Sequence, residues 1–415
     1  MPLLSELDLP AFDYTDTSLR GESFHAAMAE VRSQGWLAQG PFGCIVLDRE
    51  SAEFFLRTRS AIFPGMKIAE IFGVTDGALY EQMKRNILHV NGPDHSRLRS
   101  LINPALTPRA VERYRPVMRG FLELLLKDAV AGSSGEDGGA AVRCDFVEAF
   151  AKPYPSQVIA SVMGAPIEDA PRLHHWSNWI QKQFDAGAMA GEREKIEQAV
   201  EEFYEYAAEL LRERRQSPGD DLISMLIAAE EEGDRLSDVE CINLVFNILA
   251  GGVDTTQSQL AHAIRLLAEH PEQWDALRAD TTLAERAVDE ALRYEPITPF
   301  TVRILTEEVV FREVTFPVDT IVMVCAFTGN RDLGEEATDA ESFDIRVDRG
   351  RARALTFGAG VHYCLGANLA RLELQEGLIF LAEQVGEIEL DGEPVFGTVS
   401  GIYGLEELPV RLTPA

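Results

Sequence analysis

The chain has 415 residues, 46% hydrophobic and 26% charged, an ordinary globular balance that is long enough for a large core. Its 38 basic and 68 acidic side chains give a formal net charge of −30, which excludes nucleic acid and anionic membrane surfaces as main partners. No basic leader precedes an apolar run, and no uninterrupted apolar stretch approaches 18 residues, so the sequence reads as a cytoplasmic protein without a membrane segment.

Taken in order, Ser23 to Gln34 predicts a helix and Gly43–Leu47 a short strand. The apolar loop residues Met66, Ile68, Ile71 and Phe72 fit either loop packing or the wall of a ligand pocket. Gly92-Pro93 starts a helix that carries His95 and Arg99 on one face, four residues apart. Two cationic side chains so placed are unfavourable unless they face solvent or share an anion. Residues 110–131 carry a long amphipathic pattern, and Gly132 to Gly139 is the clearest internal loop. Helical patterns resume over Val147–Met163, Arg172–Phe184, Glu192–Gln216 and Asp221–Glu232.

Ser237-Asp238-Val239-Glu240 is a capping box opening the longest predicted helix, about Asp238 to His270. Its first half is nearly all apolar, so it should run through the middle of the molecule. Its centre, Ala250-Gly251-Gly252-Val253-Asp254-Thr255-Thr256, is anomalous. Each glycine costs about 1 kcal/mol against alanine, the threonine hydroxyls compete for backbone carbonyls, and a buried acid needs a partner. Either a packing kink or an opening beside a ligand accounts for this. A second capping box, Thr282 to Glu285, opens a helix bearing Glu290 and Arg293 three apart. Strands follow between 302 and 326, then an irregular meander.

The meander ends in Phe357-Gly358-Ala359-Gly360-Val361-His362-Tyr363-Cys364-Leu365-Gly366, followed by the helical run from Ala367. A glycine-bent loop thus presents a thiol at a helix N-terminus, where backbone N–H groups lower a thiol pKa. The other four cysteines are scattered and no C-x-x-C pair occurs, so disulfide, iron–sulfur and structural zinc readings lack support. A soft, axially ligated metal suits the loop, with haem iron the leading candidate.

Four separated motifs agree with one family. The Phe357–Gly366 loop, Gly251-Gly252-Val253-Asp254-Thr255-Thr256, Glu290-x-x-Arg293 and Asp94-His95-x-x-x-Arg99 together resemble cytochrome P450, with Asn330-Arg331-Asp332 and Phe343-Asp344-x-Arg346 similar to its meander. The resemblance spans nearly the whole chain. It implies one domain over 1–415, mainly α with a smaller β portion, a long central helix lying over haem. It makes Cys364 the proximal thiolate ligand of haem b, shielded by Phe357 and tuned by the N–H groups of Leu365 and Gly366. It places His95, Arg99, Arg303 and His362 on the propionates, and gives Gly251 and Gly252 the task of making room for dioxygen and water. Asp254 and Thr255 become the catalytic pair that delivers protons to dioxygen. Glu290 and Arg293, with Arg346, become a structural ion-pair network. Asp319 stands where the family often has glycine.

The same resemblance implies a monomeric monooxygenase that takes electrons, ultimately from NAD(P)H, through a separate ferredoxin or flavodoxin and its reductase. Its substrate would be a mid-sized hydrophobic molecule. Asn247, Ala250, Ile297, Pro299, Phe300, Val302 and Ile402 would face it, and the Met66–Phe72 and Trp179–Phe184 segments would form the lid. Arg346, Arg349, Arg351 and Arg353, with Arg97, Arg109, Arg113, Arg115 and Arg119, would give an acidic redox protein a local basic face, or are ordinary solvated arginines. A peroxide-using peroxygenase and a non-catalytic haem carrier are the alternatives; the intact Asp254-Thr255 pair argues against both.

Overall fold

The computed structural model describes residues 1–133, 141–231, 236–333, 339–349 and 354–415. Helices dominate. Those that build the centre are α1 (Gly92–Ile102), α2 (Pro153–Met163), α3 (Ala170–Gln181), α4 (Asp238–Gly252), α5 (Asp254–Glu269), α6 (Ala284–Tyr294) and α7 (Ala367–Gln384). The main core runs through all of them, from Ala69 to Leu412. A second, smaller core sits on a mixed sheet of β1 (Leu37–Gln39), β2 (Cys44–Val46), β3 (Ala61–Ile62), β4 (Phe300–Leu305) and β5 (Ile321–Cys325), in the order β1-β2-β5-β4-β3. Only β2 and β5 pair in parallel. The sheet thus joins the N-terminal fifth of the chain to segments near 300–325.

The expected capping box at Ser237 forms: Glu240 N–H donates to Ser237 Oγ at 3.3 Å, and Ser237 N–H donates to Glu240 Oε2 at 2.9 Å. The box expected at Thr282 does not. Asp280 instead accepts from Thr282 N–H at 3.0 Å and its hydroxyl at 2.6 Å, building a 3₁₀ turn ahead of α6. A carboxylate two residues upstream outcompetes the weaker hydroxyl cap.

The predicted 238–270 helix is two helices, broken at Val253 (φ −90°, ψ −73°). α4 buries Leu244, Val245, Phe246, Ile248 and Leu249, and packs on α2 and α3. The break leaves carbonyls that ordinary helix hydrogen bonds serve poorly. Side chains serve them: Ser177 Oγ donates to Leu249 O at 3.3 Å, Gln181 Nε2 donates to Ala250 O, and Thr255 Oγ1 donates to Gly251 O. Ser177 and Gln181 lie four apart on α3, on the face that meets α4.

Elsewhere the pattern is followed with local interruptions. A single π turn at Val147–Ala151 precedes α2, and a 3₁₀ turn at Lys182–Phe184 extends α3. Asp319 adopts φ +63°, the left-handed turn that aspartate tolerates in place of glycine. The 132–139 loop and the helix stop at Gly233 fall largely outside the described residues. No described helix is long and apolar enough to cross a membrane.

Candidate active site

α1, α4, α5, β4 and the loop before α7 enclose a cavity of about 480 Å³. Cys364 sits on its floor. The loop is bent by Gly358 (φ +68°) and Gly360 (φ +70°), and Cys364 N–H closes it on Phe357 O at 2.9 Å. A Cβ on Gly360 would stand 2.4 Å from Leu56 O, so only glycine lets the loop lie against that segment. Burial pushes the Cys364 thiol up. The N–H groups of Gly366 and Ala367 and the charges of Arg99 and Arg371 oppose that rise. Arg371 stacks over Phe357 at 4.6 Å, and it also donates to Tyr363 Oη at 3.1 Å and pairs with Asp289 at 3.0 Å.

Opposite the thiol lies the broken helix. Gly251, Gly252, Thr255 and Thr256 border the cavity; Asp254 does not. The two glycines differ. A Cβ on Gly251 would meet nothing within 4 Å, whereas one on Gly252 would strike Ile159 Cδ1 at 2.4 Å. Gly251 therefore opens space toward the cavity, and Gly252 permits close packing of α4 on α2.

The Asp254 carboxyl is buried on the far side of the helix. His174 Nε2 lies 4.0 Å from its Oδ1 and is hydrogen-bonded to Gln257 Oε1 at 2.9 Å. Oδ1 itself has no hydrogen-bond partner among the described residues. Burial raises the carboxyl from an ordinary 3.8 to about 7, against the opposing charges of Lys182 and Lys152. His174 was not singled out in the sequence; only its position on the helix facing α5 could have suggested it.

His95, Arg99, Arg303 and His362 converge on the same cavity. The His95 and His362 rings lie against each other, tilted by 42° with centroids 4.3 Å apart. Arg99 Nη1 donates to Val361 O at 3.0 Å and Nη2 to Tyr363 O, tying α1 to the thiol loop. Asn91 Oδ1 holds His362 Nε2 at 3.1 Å. Arg303 is 2% exposed, donates among the described residues only to the neighbouring Val302 carbonyl at 2.8 Å, and has its pKa lowered to about 10 by burial. His362 is pushed down to about 3 by burial and by His95, Arg303 and Arg99. In a chain of net charge −30, the two guanidinium groups of Arg99 and Arg303 form no ion pair with a carboxylate among the described residues, while burial and these charges keep His362 neutral. Two guanidinium groups so placed, one of them deeply buried, call for an anion. A flat dicarboxylate carrying a soft-ligated metal fits the thiol, the cationic rim and the open faces at Gly251 and Gly366, where an added Cβ would also meet nothing.

Beneath the loop, Glu290 pairs with Arg293 at 2.7 Å and with Arg349 at 3.0 Å. Arg349 takes the place expected of Arg346, which pairs with its near neighbour Asp344 at 3.1 Å. The short Asp344-x-Arg346 spacing favours that local pair. The anticipated basic face is mostly neutralised: Arg97, Arg113, Arg115 and Arg119 pair with Glu240, Asp220, Glu112, Glu376 and Glu383. Arg351 and Arg353 lie outside the described residues. Pro299, Met66 and Trp179 do not border the cavity, whereas Ile68, Ile71, Phe72, Phe184, Asn247, Ala250, Ile297, Phe300, Val302 and Ile402 do.

Residues 44–383 match the cytochrome P450 family model. The chain belongs to the cytochrome P450 family. It is 32% identical over 412 residues to luteothin monooxygenase of Streptomyces thioluteus, covering 98% of this chain and 97% of that protein. It is 34% identical over 327 residues to erythromycin C-12 hydroxylase of Saccharopolyspora erythraea, covering 78% and 79%. The crystal structure of CalO2 superposes with a TM-score of 0.87 at 29% identity, over 98% of this P450 and 100% of that chain. This P450 is a haem-thiolate monooxygenase with dioxygen as co-substrate.

Proposed function

We propose that this P450 oxygenates a mid-sized apolar molecule within the cavity between Cys364 and the Gly251–Thr255 break, using residues 1–415 as one domain. The carrying observation is a single thiol at a helix N-terminus, facing a locally opened helix across a cavity with an unpaired cationic rim. Cys364 would hold the haem iron, with Phe357 and the Leu365–Ala367 backbone around it. His95, Arg99, Arg303 and His362 would meet the propionates. When bound, haem supplies the oxygen-activating chemistry.

The protein's own part is positioning and proton supply. Thr255 Oγ1, parked on Gly251 O, can turn its hydroxyl into the cavity to donate there. Asp254, on the outer side beside His174, can hold a proton near neutrality and pass it through the break to Thr255. The apolar walls exclude bulk water. Erythromycin C-12 hydroxylase and luteothin monooxygenase are relatives of this chain, and an apolar substrate of comparable bulk fits the reading.

Electrons would come from NAD(P)H through a separate reductase and ferredoxin or flavodoxin. Because most arginines of the expected docking face are already paired, the charge steering such a partner would be modest; Arg109 has no acid partner among the described residues. The protein would be a cytoplasmic monomer. The test is the reduced carbon monoxide difference spectrum of the haem-loaded protein. The wild type should give the red-shifted band of thiolate-ligated haem, and Cys364→Ser should abolish it. A wild type without that band would overturn the reading. Product formed with peroxide alone as fast as with a reduced ferredoxin would overturn the electron route.

A further inference from the structure

Four amide side chains border the cavity on its upper side, and all four are turned the same way. Asn247 Nδ2 donates to Asn243 O at 2.7 Å, Gln181 Nε2 to Ala250 O, Gln183 Nε2 to Ile180 O at 2.9 Å, and Gln259 Nε2 to Glu295 O at 3.2 Å. Each nitrogen faces a backbone carbonyl, which can only accept. Flipping any of these amides would set oxygen against oxygen, so their orientation is fixed by chemistry. What they leave for a ligand is oxygen. Gln183 Oε1 and Gln259 Oε1 have no partner among the described residues but are themselves closed off from the cavity, so the oxygens a ligand can reach are those of Asn247 and Gln181.

Asn247 is the best held of the four. Tyr204 Oη donates to Asn243 Oδ1, and Asn243 Nδ2 donates to Val239 O at 2.7 Å. This ladder along α4 fixes the turn on which Asn247 rests. Gln181 acts one turn further on, at Ala250. Asn86, which also borders the cavity, has the reverse polarity: its Oδ1 is taken by Leu88 N–H at 2.8 Å, leaving its nitrogen outward.

We propose that the α3–α4 side of the cavity selects an apolar substrate through a neutral hydrogen-bond donor, a hydroxyl, received by Asn247 Oδ1 with Gln181 Oε1 beside it. A carbonyl or carboxylate presented there would meet oxygen and leave buried acceptors unpaired. An ammonium would lack a counter-charge, because the only carboxylate bordering the cavity among the described residues is Glu373, on α7 at the thiol side. The proposal rests on the reading of this cavity as the substrate chamber, and it names the polar handle the substrate carries.

Equilibrium dialysis of the haem-loaded protein with cyclododecanol and cyclododecanone tests it, since the two share one apolar ring and differ only in donor capacity. The wild type should bind the alcohol about tenfold more tightly than the ketone. Asn247→Leu should bring the two affinities together by weakening the alcohol alone. Asn247→Ser, whose hydroxyl can return to the Asn243 carbonyl but is too short to stand where the amide oxygen was, should do the same by a different change of shape. Equal affinities in the wild type, or a preference that survives both substitutions, would overturn the proposal. The carbon monoxide band and the binding ratio are separate readouts, so failure of the haem-thiolate reading and failure of the hydroxyl selection are told apart.

Discussion

At the scale of single residues, Asp254 has the most direct consequences. Its motif was plain in the sequence, yet the direction of its carboxyl was not. A helix residue's face follows from the local winding, and the break at Val253 resets that winding. Burial lifts its pKa to about 7, above the ordinary 3.8. The folded protein therefore keeps a proton there that the unfolded chain gives up above pH 4. Stability falls as pH climbs through that window, and the cost is full once the buried carboxylate ionises. Asp254→Asn removes the cost. It should raise stability by on the order of 2 kcal/mol at pH 8 and by little at pH 4, read by thermal unfolding at both. The same change should slow oxygen-coupled product formation roughly 10²-fold. A uniform stability change across pH would contradict the buried-acid account. Arg303 teaches a similar lesson. Its place in the pattern was readable, whereas its lack of an acid partner among the described residues emerges only from the packing around β4.

At the scale of elements, the α4–α5 break was legible as a defect because glycines and hydroxyl residues interrupt an otherwise apolar helix. What the sequence did not disclose was how the loose carbonyls are satisfied. Ser177 and Gln181 are distant in the chain, and nothing in α3 marks them as partners of α4. Nor does the Gly251-Gly252 pair announce that its members face different neighbours. The two should separate under mutation. Gly251→Ala gains helix propensity in open space, so it should stabilise the protein by about 0.5–1 kcal/mol while crowding the cavity and weakening bulky ligands. Gly252→Ala drives a methyl into Ile159 and should cost about 1–3 kcal/mol. Ile159→Val in the Gly252→Ala background should recover part of that loss, because Val lacks the Cδ1 that is struck first. Urea unfolding of the four proteins decides the matter; equal effects of the two alanines would refute the division.

At the scale of the whole molecule, motif order allowed the architecture to be anticipated, because each motif marks a fixed station on one chain path. The buried ionic ties between stations were less visible. Arg349 replaces Arg346 at Glu290. Glu295, next to the end of α6, is fully buried and binds His25 of the Glu22–Ser33 helix at 3.0 Å and Arg265 of α5 at 2.8 Å. It thereby ties the N-terminal segment to the central helices, over 270 positions of chain. Such contacts depend on which side chains long-range packing brings together, and no local spacing encodes them. Burial alone would lift the Glu295 carboxyl, but His25 and Arg265 outweigh it and hold the group at about 2. A folded pKa below the unfolded one contributes stability that is present above pH 4.5 and is lost as pH falls toward 2. Glu295→Gln leaves Arg265 with Glu269, at 2.7 Å, as its one acid among the described residues, and strips His25 of its acid. Breaking a buried pair by removing one partner costs about 3–5 kcal/mol. The variant should therefore be less stable by that amount at pH 7, and the gap to wild type should narrow steadily as pH is lowered from 4.5 toward 2. Chemical denaturation across that range measures both. A gap that stays constant would mean that the residue acts through packing rather than charge.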